Sequence, residues 1–484
     1  MRSVTIQTYI WLALPVLIFL ACWLREMVSV PLTAATLASL AWIFSRRKES
    51  PIFHSEGFAG AIRRDRRLLW ISLALVAAVI LCGIGGLVSQ TSTDQFGRNG
   101  VFYDLVARPW PVEYPPVDGN PRIMCYYLAY WLPSALVAKM FGGSMLAGNL
   151  FQIVWASWGL FLTLAFLFSY CGSRKLWLVF LLFFFFCGWE MVEGLLFYPQ
   201  EKFDFFTFME NHNDTAVPYY ALPLSHSTII QAYNQAIPAF LGFSLLYFQR
   251  RSPGWMLFTF SLILCYAPMP CLGIFPAMLY WLGRNFRTSL SLPNLLGLAL
   301  CLIFSIFFIA NAKGSHTEVA SDPDHILMVL GYGAAWLALS VAVYLPFIWR
   351  SVKSDWLFWT LLVTSLLGAL LSAYGSPDVG WRIPTALGLY LMAKVAREAV
   401  STTHWGRPRN ILFAAALAIG SLSPLTSYYL RLHYEVREVI VKGESPRDTR
   451  IEGYLTDPGR NPYYYNYVSE RAGFFYRHLM RRHR

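Results

Sequence analysis

Charge is what this sequence has least of. Asp, Glu, Lys and Arg make up only 14% of its 484 residues, against 56% hydrophobic ones, and mean hydropathy is +0.45. Soluble domains carry roughly a quarter charged residues, so that class is excluded and a polytopic membrane protein is expected. Cysteine is sparse and scattered. The eight cysteines lie in or beside apolar runs, with no CxxC and no Cys/His cluster. That excludes a disulfide framework or a thiolate metal site and leaves them as small core residues. A Walker motif, a GxGxxG opening a helix, heptads and internal repeats are also missing, which removes the common nucleotide-binding loops, coiled coils and solenoids. No small-residue cleavage site follows the first apolar run, Tyr9 to Leu24, so it reads as a retained helix and not as a signal peptide.

What is present is a series of long apolar runs with cations at their ends. The net charge of +12 sits largely in those short clusters, such as Arg63, Arg64, Arg66 and Arg67. There it fixes topology, and no nucleic-acid partner is expected. Residues 1–67 read as a helical hairpin followed by a basic cytoplasmic connector, 68–250 as a core, 251–428 as further transmembrane helices, and 429–484 as a polar extracytoplasmic tail. Runs such as Leu68 to Val88, Met145 to Tyr170, Leu224 to Phe248 and Asn294 to Ala310 are long enough to cross. The span Trp255 to Leu282, with Pro268, Pro270 and Pro276, is open between a hairpin of short helices and a broken re-entrant pair. The expected fold class is an all-α integral membrane protein of about 13 transmembrane helices. Charge parity puts Ile123 to Phe141 in the interface as a helix that makes no net crossing.

Sorted by side, acids and histidines gather on the outer face, while the inner loops are short and basic and offer almost no site. The first large outer loop, 89–144, holds the leading candidates. Asp94 is the first carboxylate after an outgoing helix, and Arg98 follows at helical spacing. Asp94 suits a general base at the water boundary, and Arg98 could hold its charge or bind a phosphate. TDQF is equally a helix N-cap sequence. Asp104, in FYDL, is a second carboxylate or a solvated position on the same helix. Arg382, in SPDVGWRIPTAL, stands at the mouth of an incoming helix, where it either receives an anion or snorkels beside Trp381. His226, with Gln231 and Asn234 deeper in the same helix, faces a cavity or bonds a neighbouring helix. The loop 311–325 and the stretch 211–214 carry oxygen and imidazole groups that suit Mg²⁺ or Mn²⁺ without matching a specific site.

The acidic residue Asp94 in the first outer loop, followed by YYLAYWLPSALVAKMFGGSMLAGNLFQIVWASWGL, resembles the GT-C superfamily of polytopic glycosyltransferases. That superfamily includes the protein O-mannosyltransferases and the aminoarabinose transferases of lipid A. The likeness covers roughly residues 68–250. It implies transfer of a sugar from a polyprenyl-phosphate donor to a glycan, lipid or protein acceptor. The active site would face the exterior of a plasma membrane or bacterial inner membrane. Asp94 and Asp104 would be the catalytic carboxylates, Arg382, His226 and Arg98 the donor-phosphate ligands, and a divalent cation an optional partner. The sequence departs from the pattern in having two extra leading helices, no paired acid directly after Asp94 and no large soluble domain. The alternatives are a transporter or flippase of lipid-linked saccharides, and a polysaccharide polymerase or ligase.

Overall fold

The computed structural model describes residues 2–45, 67–86, 93–117, 120–172, 175–189, 192, 225–311, 323–373, 377–436, 455–456, 464–470 and 473–482. They are mostly helical. Among the described residues, five helices are long and apolar enough to cross a bilayer: Val4–Trp23, Glu26–Ser45, Met145–Cys171, Leu292–Ile309 and Pro408–Tyr429. A sixth span results if Leu330–Ala342 and Leu345–Val352, bent by 81° against each other, count as one. Other apolar helices, among them Leu176–Phe185 and Trp356–Gly368, are shorter, so a count of about 13 depends on segments that are brief or polar. In chain order, the helices used below are α1 (Arg2–Trp23), α2 (Glu26–Ser45), α3 (Arg67–Leu81), α4 (Thr93–Ala107), α5 (Leu132–Met140), α6 (Met145–Cys171), α7 (Leu176–Phe185), α8 (Ser225–Gln249), α9 (Met256–Leu264), α10 (Pro268–Arg284), α11 (Leu292–Ile309), α12 (Pro323–Trp336), α13 (Leu345–Val352), α14 (Trp356–Ala373), α15 (Pro377–Arg382) and α16 (Thr385–Ser401).

Aromatic rings and a few polar links hold the bundle together, as expected where lipid gives helices no hydrophobic reason to associate. Trp11 of α1 stacks on Trp155 of α6 at 4.8 Å and on Tyr266 at 5.4 Å. Its indole N–H donates to the Trp155 carbonyl at 3.0 Å, and the Tyr266 hydroxyl donates to the Trp11 carbonyl at 2.8 Å. Nearer the opposite end of α8, Tyr9, Thr259 and Gln249 form a buried hydrogen-bonded set joining α1, α9 and α8. The span around residues 255–282 resolves into the short α9, a turn at 265–267 and the longer α10.

Two expectations need correction. The fold is not purely α, because Glu113–Val117 (β1), Asn120–Met124 (β2) and Val468–Glu470 (β3) form an antiparallel three-stranded sheet in the order β1-β2-β3. Pro115, Pro116 and Pro121 deny this stretch a helix and are tolerated only at edges and irregularities. The β1–β2 register shifts between Tyr114 and Val117, where two of those prolines lie. For the same reason Ile123 to Phe141 is not one interfacial helix. Its first residues belong to β2, Leu128–Tyr130 makes a single 3₁₀ turn, and only α5 is α-helical. Pro133 near its start supplies the break and the nucleus together.

The sheet locates the end of the chain. β3 pairs with β2, Leu24 bridges Met480, and Asn311 bridges Ser469. The α1–α2 turn, the loop that carries α4 and α5, the C-terminus of α11 and the described part of the tail therefore occupy one end of the bundle.

Candidate functional site

α4 lies at that end and is anchored to α8 through Arg98. The Arg98 side chain is 4% exposed. Its Nη1 donates to the Ile230 carbonyl at 3.3 Å, and its guanidinium lies 5.5 Å from the centre of the Tyr233 ring. Tyr233 in turn meets Tyr130 edge-on at 5.1 Å. The α8 backbone is broken here, with Ala232 at φ −152° and ψ 43°. Pro238 further removes the helical bond to the carbonyl four residues earlier. Around this contact lie buried polar atoms that have no hydrogen-bond partner: Asn99 Nδ2, Tyr130 Oη, Ser134 Oγ, Asn234 Nδ2 and Gln235 Oε1. Each such group costs about 1–3 kcal/mol if nothing satisfies it, so a cluster of them marks a place where polar atoms of a ligand belong.

The expected site residues divide into three groups. Asp94 and His226 belong to the helices that meet here. Asp94 occupies the first turn of α4, one turn before Arg98, and His226 occupies the first turn of α8, one turn before Ile230. Their side chains lie outside the described residues, as do the 211–214 stretch and residues 312–322. Asp104 is ten residues beyond Asp94, or about 15 Å along the axis, so the two carboxylates do not form a close pair. Asp104 is buried and ion-paired with Arg108 at 3.2 Å. Burial raises its carboxyl above the ordinary range, and the neighbouring Tyr114 hydroxyl and Arg108 guanidinium oppose the rise. Arg108 also packs over the Tyr114 ring at 5.2 Å, so this acid pins β1 to the end of α4.

Arg382 is 8% exposed at the C-terminus of α15, and its Nε has no hydrogen-bond partner. Its helix packs on α14 and α10. Among the described residues, no group of three or more His, Cys, Asp or Glu side chains could hold a metal ion. None of the eight cysteines is in a disulfide, and all are buried or half-buried.

The tail is the element that sequence reasoning missed at this site. Gly97 shares a face of α4 with Asp94 and Arg98, and its missing side chain leaves room for the Tyr467 hydroxyl of the tail. Tyr467 is buried, packs on the Tyr126 ring at 4.8 Å, and accepts a backbone bond from Cys125 at 2.9 Å. Only the glycine in FGRN hints at a close approach, and nothing in the sequence says from where. No family model, curated protein or solved structure matches the chain.

Proposed function

We propose that the protein is a membrane glycosyltransferase. It would take a sugar from a polyprenyl-phosphate donor and pass it to a cell-envelope acceptor at the end of the bundle that carries α4 and the tail. In this reading that end faces the exterior, and the short helices bring the total to about 13 spans. The observation that carries it is the buried Arg98 docked on the broken helix α8, surrounded by buried polar groups without protein partners. A guanidinium held in a desolvated site is a strong ligand for a phosphate, and the orphaned amides and hydroxyls suit a sugar ring.

Asp94, one turn from Arg98, takes the proton from the acceptor hydroxyl as that oxygen attacks the anomeric carbon and the bond to the lipid phosphate breaks. Arg98 steadies the departing phosphate, with His226 entering from the neighbouring turn of α8. Arg382 serves the same anion only if α15 approaches the donor when it binds. Asp104 is assigned to positioning the β1 hairpin. The experiment is release of polyprenyl phosphate from the charged donor by purified wild type and Asp94→Asn. Loss of about 10³-fold or more is expected on removing a general base, and a fully active Asp94→Asn protein refutes the reading.

A further inference from the structure

The opposite end of the bundle is not the empty surface that its short basic loops suggest. A cavity of about 750 Å³ opens there. Its walls carry six cations: Arg250 and Arg251 after α8, Arg284 at the end of α10, Arg350 in α13, and Lys394 and Arg397 in α16. From Ile230 to Arg250 the chain runs along α8 for about 30 Å, so this basin is remote from the Arg98 site.

Topology alone explains cations at helix ends but not their convergence on one concavity. Among the described residues Asp355 is the one carboxylate lining it, and that group is already engaged, by Lys394 at 2.6 Å and by the Tyr390 hydroxyl at 2.6 Å. Arg250 and Arg397 are held in place over the rings of Tyr247 and Tyr170, at 3.9 and 5.5 Å. Among the described residues, five guanidinium groups thus face a shared space with no second acid lining it. Such an array is a receptor for a multivalent anion, and guanidinium geometry matches phosphate oxygens in pairs. A second cavity of about 840 Å³ shares Arg251 and Asn285 with the basin, and Trp42, Leu290, Leu292 and Pro293 contribute apolar wall to it.

We infer that this end binds a phosphate or pyrophosphate group, and that the adjoining cavity receives an apolar chain when that group is the head of a lipid. The inference does not depend on the transferase reading.

The test is calorimetric titration of the purified full chain with two probes, inorganic pyrophosphate and farnesyl diphosphate. Wild type is compared with Arg284→Gln/Arg350→Gln, which alters two exposed residues, and with Arg407→Gln/Arg67→Gln, which removes the same charge elsewhere. The basin variant is expected to elute and melt like wild type and to bind about tenfold or more weakly, whereas the control variant keeps wild-type affinity. Tighter binding of farnesyl diphosphate than of pyrophosphate assigns the site to a lipid headgroup, and equal affinities assign it to a free anion. Equal losses in both variants, or no loss in the basin variant with either probe, overturn the inference.

Discussion

Arg98 and Asp104 sit six residues apart on one helix and are committed to different partners. Arg98 leaves α4 to meet α8, while Asp104 turns back to Arg108 and β1. Replacing Arg98 by Ala should therefore weaken donor binding by about tenfold or more, measured as the donor concentration that half-saturates transfer, with Arg98→Lys only partly restoring it. For Asp104 the consequence is one of stability. Burial raises its folded-state pKa, so its contribution is fully present below the ordinary carboxylate range and is lost as pH rises through the elevated value. Melting curves in detergent should show wild type losing more stability than Asp104→Asn between acid and neutral pH; parallel curves would contradict this. At this scale the sequence was informative where spacing is local. Asp94 and Arg98 at i and i+4 were legible as neighbours on one helix face, as Asp104 and Arg108 could have been. The partners Ile230, Tyr233 and Tyr467 were not, because nothing local records a contact made across more than a hundred residues.

Single elements show the same division. The ends of α6 agree with the apolar run that marks them, since Ser144 caps its first turn and Gly172 closes it in the left-handed region at φ 62°. From Leu176 the sequence is apolar through Cys187, yet α7 stops at Phe185, and a continuous apolar run carries no signal for that stop. The sheet was illegible because β3 is three residues long and pairs with a partner some 350 positions earlier.

The packing of α9 on α11 depends on one polar side chain. Asn294 Oδ1 accepts from the backbone N–H groups of Leu257 and Phe258, and its Nδ2 donates to the Pro253 and Ser289 carbonyls. Gly297, one turn on, leaves no room for a Cβ against that same backbone. Asn294→Leu should cost about 2–4 kcal/mol and lower the melting temperature, a change that an exposed control such as Leu298→Ala would not reproduce. In the same way, Gly97→Ala sets a methyl against Tyr467. It is expected to make the tail more sensitive to protease while the helices melt as before.

For the molecule as a whole, the two ends carry different chemistry, and α8 connects them. The end with α4 and the tail gathers buried polar groups around one guanidinium, while the other end gathers cations around a cavity. In a protein stripped of its native cysteines, Ala107→Cys and Arg481→Cys should label from one side of the membrane and Arg284→Cys from the other. Labelling of Ala107→Cys and Arg481→Cys from opposite sides would be incompatible with the β2–β3 pairing. Charge clusters mark the cations in the sequence, but they could not reveal that those at the far end of α8 share a cavity, because convergence is a property of helix packing and not of any one loop.

The most direct measurement is an experimental structure determined with a non-transferable polyprenyl-phosphate sugar bound in a lipid nanodisc. The account predicts the donor phosphate within hydrogen-bond distance of Arg98 at the meeting of α4 and α8, with its sugar among Asn99, Tyr130 and Asn234. Donor density elsewhere in the molecule, with the Arg98 site unchanged, would contradict it.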